Sequence, residues 1–164
     1  MLVSVRQRLL ESHLMTQTEI AVRPIAETDL NEWFRLRSIL WDETSEDDHK
    51  SEMVDIIDHH DTQQVFVAES DDRLIGFLEV GIRPFVEDCI TDHVGYLEGW
   101  FIEKDFRKLG IGKELVKKAE DWARAKGCTE MASDAELGNE LSLKAHLSLG
   151  YQEMSRLVHL RKDL

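Results

Sequence analysis

Residues 94–112 read VGYLEGWFIEKDFRKLGIG. An apolar run ends in a charged turn, and Arg107-Lys108-Leu109-Gly110-Ile111-Gly112 leads straight into a stretch with apolar residues at helical spacing. The pattern predicts a strand, a turn and a helix in that order. A helix start leaves several backbone N–H groups without acceptors in the helix. Added to the positive end of the helix dipole, those donors suit a phosphate or pyrophosphate. Gly110 and Gly112 lack the Cβ that would keep an anion off the backbone. Arg107, Lys108 and Lys113 supply positive charge. No Gly-Lys-Ser/Thr closes the turn and the Gly-x-Gly-x-x-Gly spacing is absent, so neither a P-loop nor a dinucleotide fingerprint is present.

Outward from this stretch the chain alternates between periods. Residues 19–25, 64–69, 73–84, 94–103 and 130–134 read as strands, with Asp71-Asp72 as a hairpin turn and 85–93 as a polar loop. Residues 29–41 read as an amphipathic helix with Leu30, Trp33, Phe34 and Arg37 along one side. A helix near 46–60 is expected to bury Met53, Ile56 and Ile57. In the helix at 111–126, Ile111, Leu115, Ala119, Trp122 and Ala123 share a face, and Gly127 is placed to cap it. Asn139 is a candidate N-cap for a helix ending near Leu149. Residues 151–162 are expected to form a closing hairpin or bent strand pair.

A chain of 164 residues fits one domain with a real core. Residues 15–164 read as that domain. Residues 1–14 are an extension, too polar for a secretory segment, that is either the product of an upstream start codon or a short extra helix. No apolar run approaches the ~20 residues that cross a bilayer, so no membrane role is expected. Cys89 and Cys128 have no metal-like or redox spacing and read as reduced thiols of a cytoplasmic protein. No Cys/His cluster has zinc spacing, so no metal is expected. The formal charge of −13 argues against nucleic acid as a partner and suits a cationic ligand, or serves solubility alone. Residues 42–61 are dense in carboxylates, with Lys50 the one Lys or Arg among them.

Arg107-x-x-Gly110-x-Gly112 between a strand and a helix resembles the acetyl-CoA pyrophosphate loop of the GNAT superfamily of N-acetyltransferases. Leu97-Glu98-Gly99, CTEMASDA at 128–135, Asn139-x-x-Ser142 and His146-x-x-Leu149-Gly150-Tyr151 resemble the aminoglycoside 6′-N-acetyltransferases of that superfamily. Leu40-Trp41 followed by an acidic stretch with histidine is similar to them too. The likeness covers residues 19–162. It implies an α/β (α+β) GNAT fold, with a mixed, mostly antiparallel sheet whose parallel central strands splay apart and about four flanking helices.

The resemblance also implies site roles. Trp100, Phe101 and Ile102 would offer backbone groups to acetyl-pantetheine. Arg107 and the run Lys108, Leu109, Gly110, Ile111, Gly112 and Lys113 would hold the pyrophosphate of acetyl-CoA. Asn139 would bond the pantetheine arm, serve as an N-cap, or do both. Glu98 would bind the substrate ammonium and accept its proton, directly or through water. Asp134 would bind a second ammonium. Each carboxylate could instead be one half of an ion pair at a strand end. Trp41 is either a stacking wall for a sugar ring or part of the core.

Two positions depart from the pattern. His146 stands where many superfamily members carry a tyrosine that protonates the CoA thiolate. Ser155 stands near a position that relatives can fill with an acid, and Glu153 is the nearest substitute. The activity implied is acetyl transfer from acetyl-CoA to the 6′-amine of an aminoglycoside, with resistance as its consequence and a homodimer as the assembly. Acetylation of another polyamine, or a CoA-binding regulatory domain without turnover, are the alternatives.

Overall fold

The computed structural model describes residues 19–164, so the expected extension at 1–14 lies outside the described residues. In chain order the elements are β1 (Ile20–Pro24), α1 (Leu30–Leu40), α2 (Glu46–Asp58), β2 (Gln63–Ser70), β3 (Arg73–Arg83), β4 (Val94–Ile102), α3 (Ile111–Ala125), β5 (Glu130–Ser133) and α4 (Glu140–Ser148). Short 3-10 turns at Glu27–Asp29 and Lys104–Phe106 lead into α1 and follow β4. The strands form one sheet in the order β1-β2-β3-β4-β5. Pairing is antiparallel as far as β4 and parallel between β4 and β5.

Period-two alternation sorts the strand residues onto two faces. On one face Val65, Val67, Leu74 and Phe77 pack against Trp33 and Leu36 of α1 and Met53 of α2. On the other, Phe66, Ala68, Ile75, Leu78, Val80 and Leu97 pack against Ile111, Leu115, Val116 and Ala119 of α3. The hairpin between β2 and β3 turns through Asp71 and Asp72, both left-handed at φ 50 and 59, as a primed two-residue turn requires. Ser45 caps α2 by accepting from the Asp48 amide at 3.1 Å, and Glu46, Asp47 and Asp48 complement the dipole of its first turn. Gly127, at φ 91, closes α3.

The sheet's register carries one irregularity of consequence. Glu79 of β3 faces Gly99 of β4, while the next residue, Val80, faces Leu97. Glu98 is therefore the extra residue of a β-bulge, which locally breaks the alternation. Before it, Leu97 belongs to the α3-side core. After it, Trp100 and Ile102 pack toward α3 and Phe101 toward α1 and α2. At the bulge both Glu98 and Gly99 meet the α1/α2 side. The Glu98 carboxylate lies over Gly81, and a Cβ on Gly99 would stand 2.3 Å from the Trp41 ring.

Two expectations need correction. Ile57 of α2 is 43% exposed and Ile56 only half-buried, because His49, Met53 and Ile56 form the inner stripe at four- and three-residue steps and Ile57 falls on its shoulder. The shared face of α3 is as expected, with Trp122 half-buried at its edge and Val116 joining the core. Residues 151–164 form no strand. Their apolar members Met154, Leu157, Val158 and Leu160 do not keep a two-residue period and are all exposed. A hairpin without a covered apolar face has little to hold it.

Leu115 is fully buried between α3 and the sheet. Leu115→Ala should lower the unfolding free energy by about 2–5 kcal/mol, read from urea denaturation.

Candidate active site

A cavity of about 530 Å³ opens on the α1/α2 face, with Trp41, Glu79, Gly81 and Glu98 in its lining. Its charged residues are Arg37 against Glu52, Asp55, Glu79 and Glu98, so the walls are net negative. Such walls attract cations and focus their field into the cavity.

Arg37 organises the inner end. Its side chain is 4% exposed. It lies 2.9 Å from the Glu79 carboxylate and 2.7 Å from Glu52, and donates to the His49 carbonyl at 3.1 Å. Trp33 donates its indole N–H to Glu79 at 2.9 Å. The Arg37 guanidinium also lies 4.8 Å from the centre of the Trp41 ring, a cation–π arrangement that holds the indole at the cavity wall. Trp41 ends α1, its own N–H bonded to the Arg37 carbonyl at 2.9 Å, and its far edge rests on Gly99. Of the two alternatives for Trp41, this placement has it lining the cavity while packing edge-on against Phe77 at 6.0 Å. Burial raises the Glu79 carboxyl to about 7, against the opposing pull of Arg37 and the Trp33 bond.

The outer end has a second guanidinium. Arg83, the last residue of β3, donates to Glu98 through Nε at 2.9 Å and through Nη2 to the other oxygen. Its guanidinium sits 3.5 Å from the centre of the Tyr96 ring. The pairing with Glu98 raises the Arg83 pKa. Burial first, then the neighbouring Asp134 carboxylate, pushes the Tyr96 hydroxyl well above the usual phenol range. Asp134, just beyond β5, stays exposed.

The predicted anion loop lies at the start of α3. Lys108 and Gly110 are both left-handed, at φ 66 and 85. Gly110 is the N-cap, and Glu114 makes the first helical bond back to its carbonyl at 3.1 Å. The amides of Ile111, Gly112 and Lys113 therefore have no acceptor within the helix. Lys108 and Lys113 are exposed beside them, as is Leu109 at 62%. Arg107 turns back, donating to the Ile102 carbonyl at 2.8 Å. Gly112 has a different reason from the one expected. A Cβ there would meet the Trp100 ring at 2.5 Å, so the glycine permits close approach of α3 to β4.

Between the loop and the cavity runs the second half of β4. β5 pairs with Val94 to Leu97 only. Residues 98–102, including Trp100, Phe101 and Ile102, have no strand on that side. The buried Trp100 indole N–H has no partner among the described residues.

Asn139 accepts from the Ser142 amide at 3.1 Å and caps α4, leaving its carboxamide NH2 for other work. His146 has both ring nitrogens engaged: Nδ1 lies 2.8 Å from the Ser142 carbonyl and Nε2 3.0 Å from the Ser133 hydroxyl. Ser155 donates to Asp88 at 2.6 Å. Arg37 was visible in the sequence only as one residue of a helix face, and Glu79, Arg83 and Tyr96 not at all. A carboxylate inside the apolar run RLIGFLEV was the available signal for Glu79.

The Acetyltransferase (GNAT) family model matches residues 33–151. The aminoglycoside N(6')-acetyltransferase type 1 of Klebsiella aerogenes is 38% identical over 146 residues, covering 87% of this chain and 96% of that one. The structure of AAC(6')-Iy with the bisubstrate analog CoA-S-monomethyl-acetylneamine superposes with a TM-score of 0.85 at 34% identity, covering 90% of this chain and all of the other. AAC(6')-Iy with CoA gives a TM-score of 0.87 at 34% identity over 92% of this chain and 99% of that one.

Removing one partner of a buried ion pair strands the other charge, at about 3–5 kcal/mol. Glu79→Leu leaves Arg37 with Glu52 and the His49 carbonyl alone, so it should lose stability at or below the lower end of that scale in urea denaturation. Adding Arg37→Met to the same chain should recover most of the loss.

Proposed function

Because this chain belongs to the GNAT family of acetyltransferases, we propose that it transfers the acetyl group of acetyl-CoA to the 6′-amine of an aminoglycoside. The observation that carries this reading is the bulge at Glu98. It sets a carboxylate at the mouth of an acidic cavity, beside a strand edge that no other strand occupies. The close relatives are aminoglycoside N(6')-acetyltransferases, and their likeness spans 87% of this chain.

The loop fits the phosphates of the cofactor. Two left-handed residues, three free helix-start amides and two exposed lysines suit a pyrophosphate. The open edge of 98–102 and the unpartnered Trp100 N–H suit the amide-bearing pantetheine arm. When bound, acetyl-CoA supplies an activated acyl group on a good leaving thiolate.

The protein's own residues handle the amine. An alkylammonium has a pKa near 10.4 and is no nucleophile until it loses a proton. Glu98 binds the ammonium and takes that proton, directly or through water. Asp134 receives a second ammonium. Trp41, braced by Arg37, is the flat wall against which a sugar ring lies. His146, tied at both nitrogens, orients Ser133 rather than serving as a free acid. The amide product has one charge fewer to pair with ribosomal RNA phosphate, which weakens drug binding and gives resistance.

A homodimer is the assembly we favour, supported by the uncovered Met154, Leu157, Val158 and Leu160 and the unpaired outer edge of β5. A cytoplasmic location accords with two free thiols. Among the described residues no helix is long and apolar enough to cross a membrane.

Thiol release from acetyl-CoA with kanamycin, tobramycin, spermidine and a lysine peptide side by side tests the substrate. Turnover should be confined to the two aminoglycosides; turnover with spermidine alone would move the assignment to polyamines. In the same assay Glu98→Gln should lower kcat on the order of 10²-fold, because it removes the proton acceptor. Asp134→Asn should mainly raise KM, because it removes binding that ground state and transition state share. Gly99→Ala forces a methyl into the Trp41 ring, an overpacking worth about 1–3 kcal/mol, and should raise the aminoglycoside KM while that for acetyl-CoA moves little.

A further inference from the structure

Resting on that assignment, we infer that Arg83 is an internal counter-ion: it holds the ammonium position at Glu98 in the free enzyme and is displaced by the substrate, which sets an affinity threshold that polycationic amines can clear. The geometry is that of a ligand mimic. Arg83 grips both Glu98 oxygens and lies on the Tyr96 ring at 3.5 Å, so a cation already sits on the carboxylate and against an aromatic face. Gly81 leaves the space in which the Glu98 carboxylate lies. Asp134 lies near enough to act on the same guanidinium.

The two arginines of the site differ in their freedom to move. Arg37 is enclosed, with a side chain 4% exposed and anchored by Glu79, Glu52 and the His49 carbonyl. The Arg83 side chain is 43% exposed, and Glu98 is its one salt-bridge partner among the described residues. Its two-pronged grip is stronger than that of an ordinary surface pair, but water can reach both partners, so it separates at far lower cost than the enclosed Arg37–Glu79 pair. Arg83 can therefore swing to solvent when another cation takes Glu98.

The exchange sets a threshold. A monoamine replaces one cation by another at Glu98 and gains almost nothing. A polyamine meets the same cost but also reaches Asp134, and through the cavity Glu52 and Asp55, so its extra charges offset the displacement. The competitor sets the affinity a ligand must exceed, and the further carboxylates rank the ligands.

Calorimetry in the presence of CoA, which cannot acetylate, separates the outcomes. Kanamycin, spermidine and the monoamine 6-amino-6-deoxyglucose would be titrated into the wild type, Arg83→Gln and Arg83→Lys. Arg83→Gln should tighten kanamycin and the monoamine by a similar factor, on the order of threefold to tenfold, because both meet the same internal competitor. Arg83→Lys, which keeps the charge but not the two-pronged grip, should fall between. The salt dependence of Kd should steepen in Arg83→Gln, because one more unneutralised carboxylate meets the ligand. A purely structural Arg83 would leave that slope alone. Weaker or unchanged binding in Arg83→Gln, or an unchanged salt slope, would overturn the inference. Wild type that binds spermidine but not kanamycin would remove the aminoglycoside assignment instead, while the spermidine shift still decides the role of Arg83.

Discussion

One extra residue in β4 decides which way the second half of that strand faces. Strict alternation from Tyr96 and Leu97 would turn Trp100 and Ile102 toward the α1/α2 side and Phe101 toward α3. The bulge at Glu98 reverses this, so Trp100 and Ile102 join the α3 core and Phe101 joins Trp33 and Phe77 on the other side. The same step sets Glu98 and Gly99 together on the cavity side, one presenting a carboxylate and the other giving way to Trp41. Cavity wall, the Glu98 carboxylate within it and the packing under the loop that opens α3 all descend from that single register shift. A bulge in this place re-aims side chains, as bulges beside active sites commonly do.

The site also shows how burial alone gives one chemistry two uses. Arg37 with Glu79 and Arg83 with Glu98 are both guanidinium–carboxylate pairs on the same face of the sheet. The inner pair is desolvated, its charges costly to separate, and it fixes the position of Trp41. The outer pair is partly in water, and separating it costs far less. A rigid pair behind an exchangeable one is a workable arrangement for a site that must hold its shape while trading one cation for another.

Much of this was legible in the sequence, and the limit falls at a physical boundary. The order of strands and helices, the turn at Asp71-Asp72, the cap at Asn139 and the loop before α3 are all local features, set by period, turn chemistry and capping within a few residues. Glu98 and Trp41 could be marked by resemblance. Arg83, Tyr96 and Glu79 could not, because their significance lies in register: Arg83 reaches Glu98 only through the pairing of β3 with β4, fifteen residues apart in the chain. The reason for Gly112 was misread on the same account, since the ring it accommodates belongs to the neighbouring strand. The closing hairpin expected at 151–162 failed differently. Its apolar residues suggested strands, but none of the described residues covers them.

The charge of −13 takes on a sharper meaning against this geometry. Two reactants of opposite sign have to meet, a polyanionic cofactor and a polycationic amine, and a uniformly acidic surface would repel the first. The chain resolves this by keeping the two fields on opposite sides of one strand. Lys108, Lys113 and the amides at the start of α3 gather positive charge at one end, while Glu52, Asp55, Glu79 and Glu98 line the cavity. With screening lengths near 8–10 Å in physiological salt, a ligand approaching through solvent senses mainly the charges on the side it approaches. The unpaired edge of residues 98–102 is where those sides communicate. That opening exists because β5 stops at Ser133, so the shortness of the last strand is as much a part of the site as the carboxylate beside it.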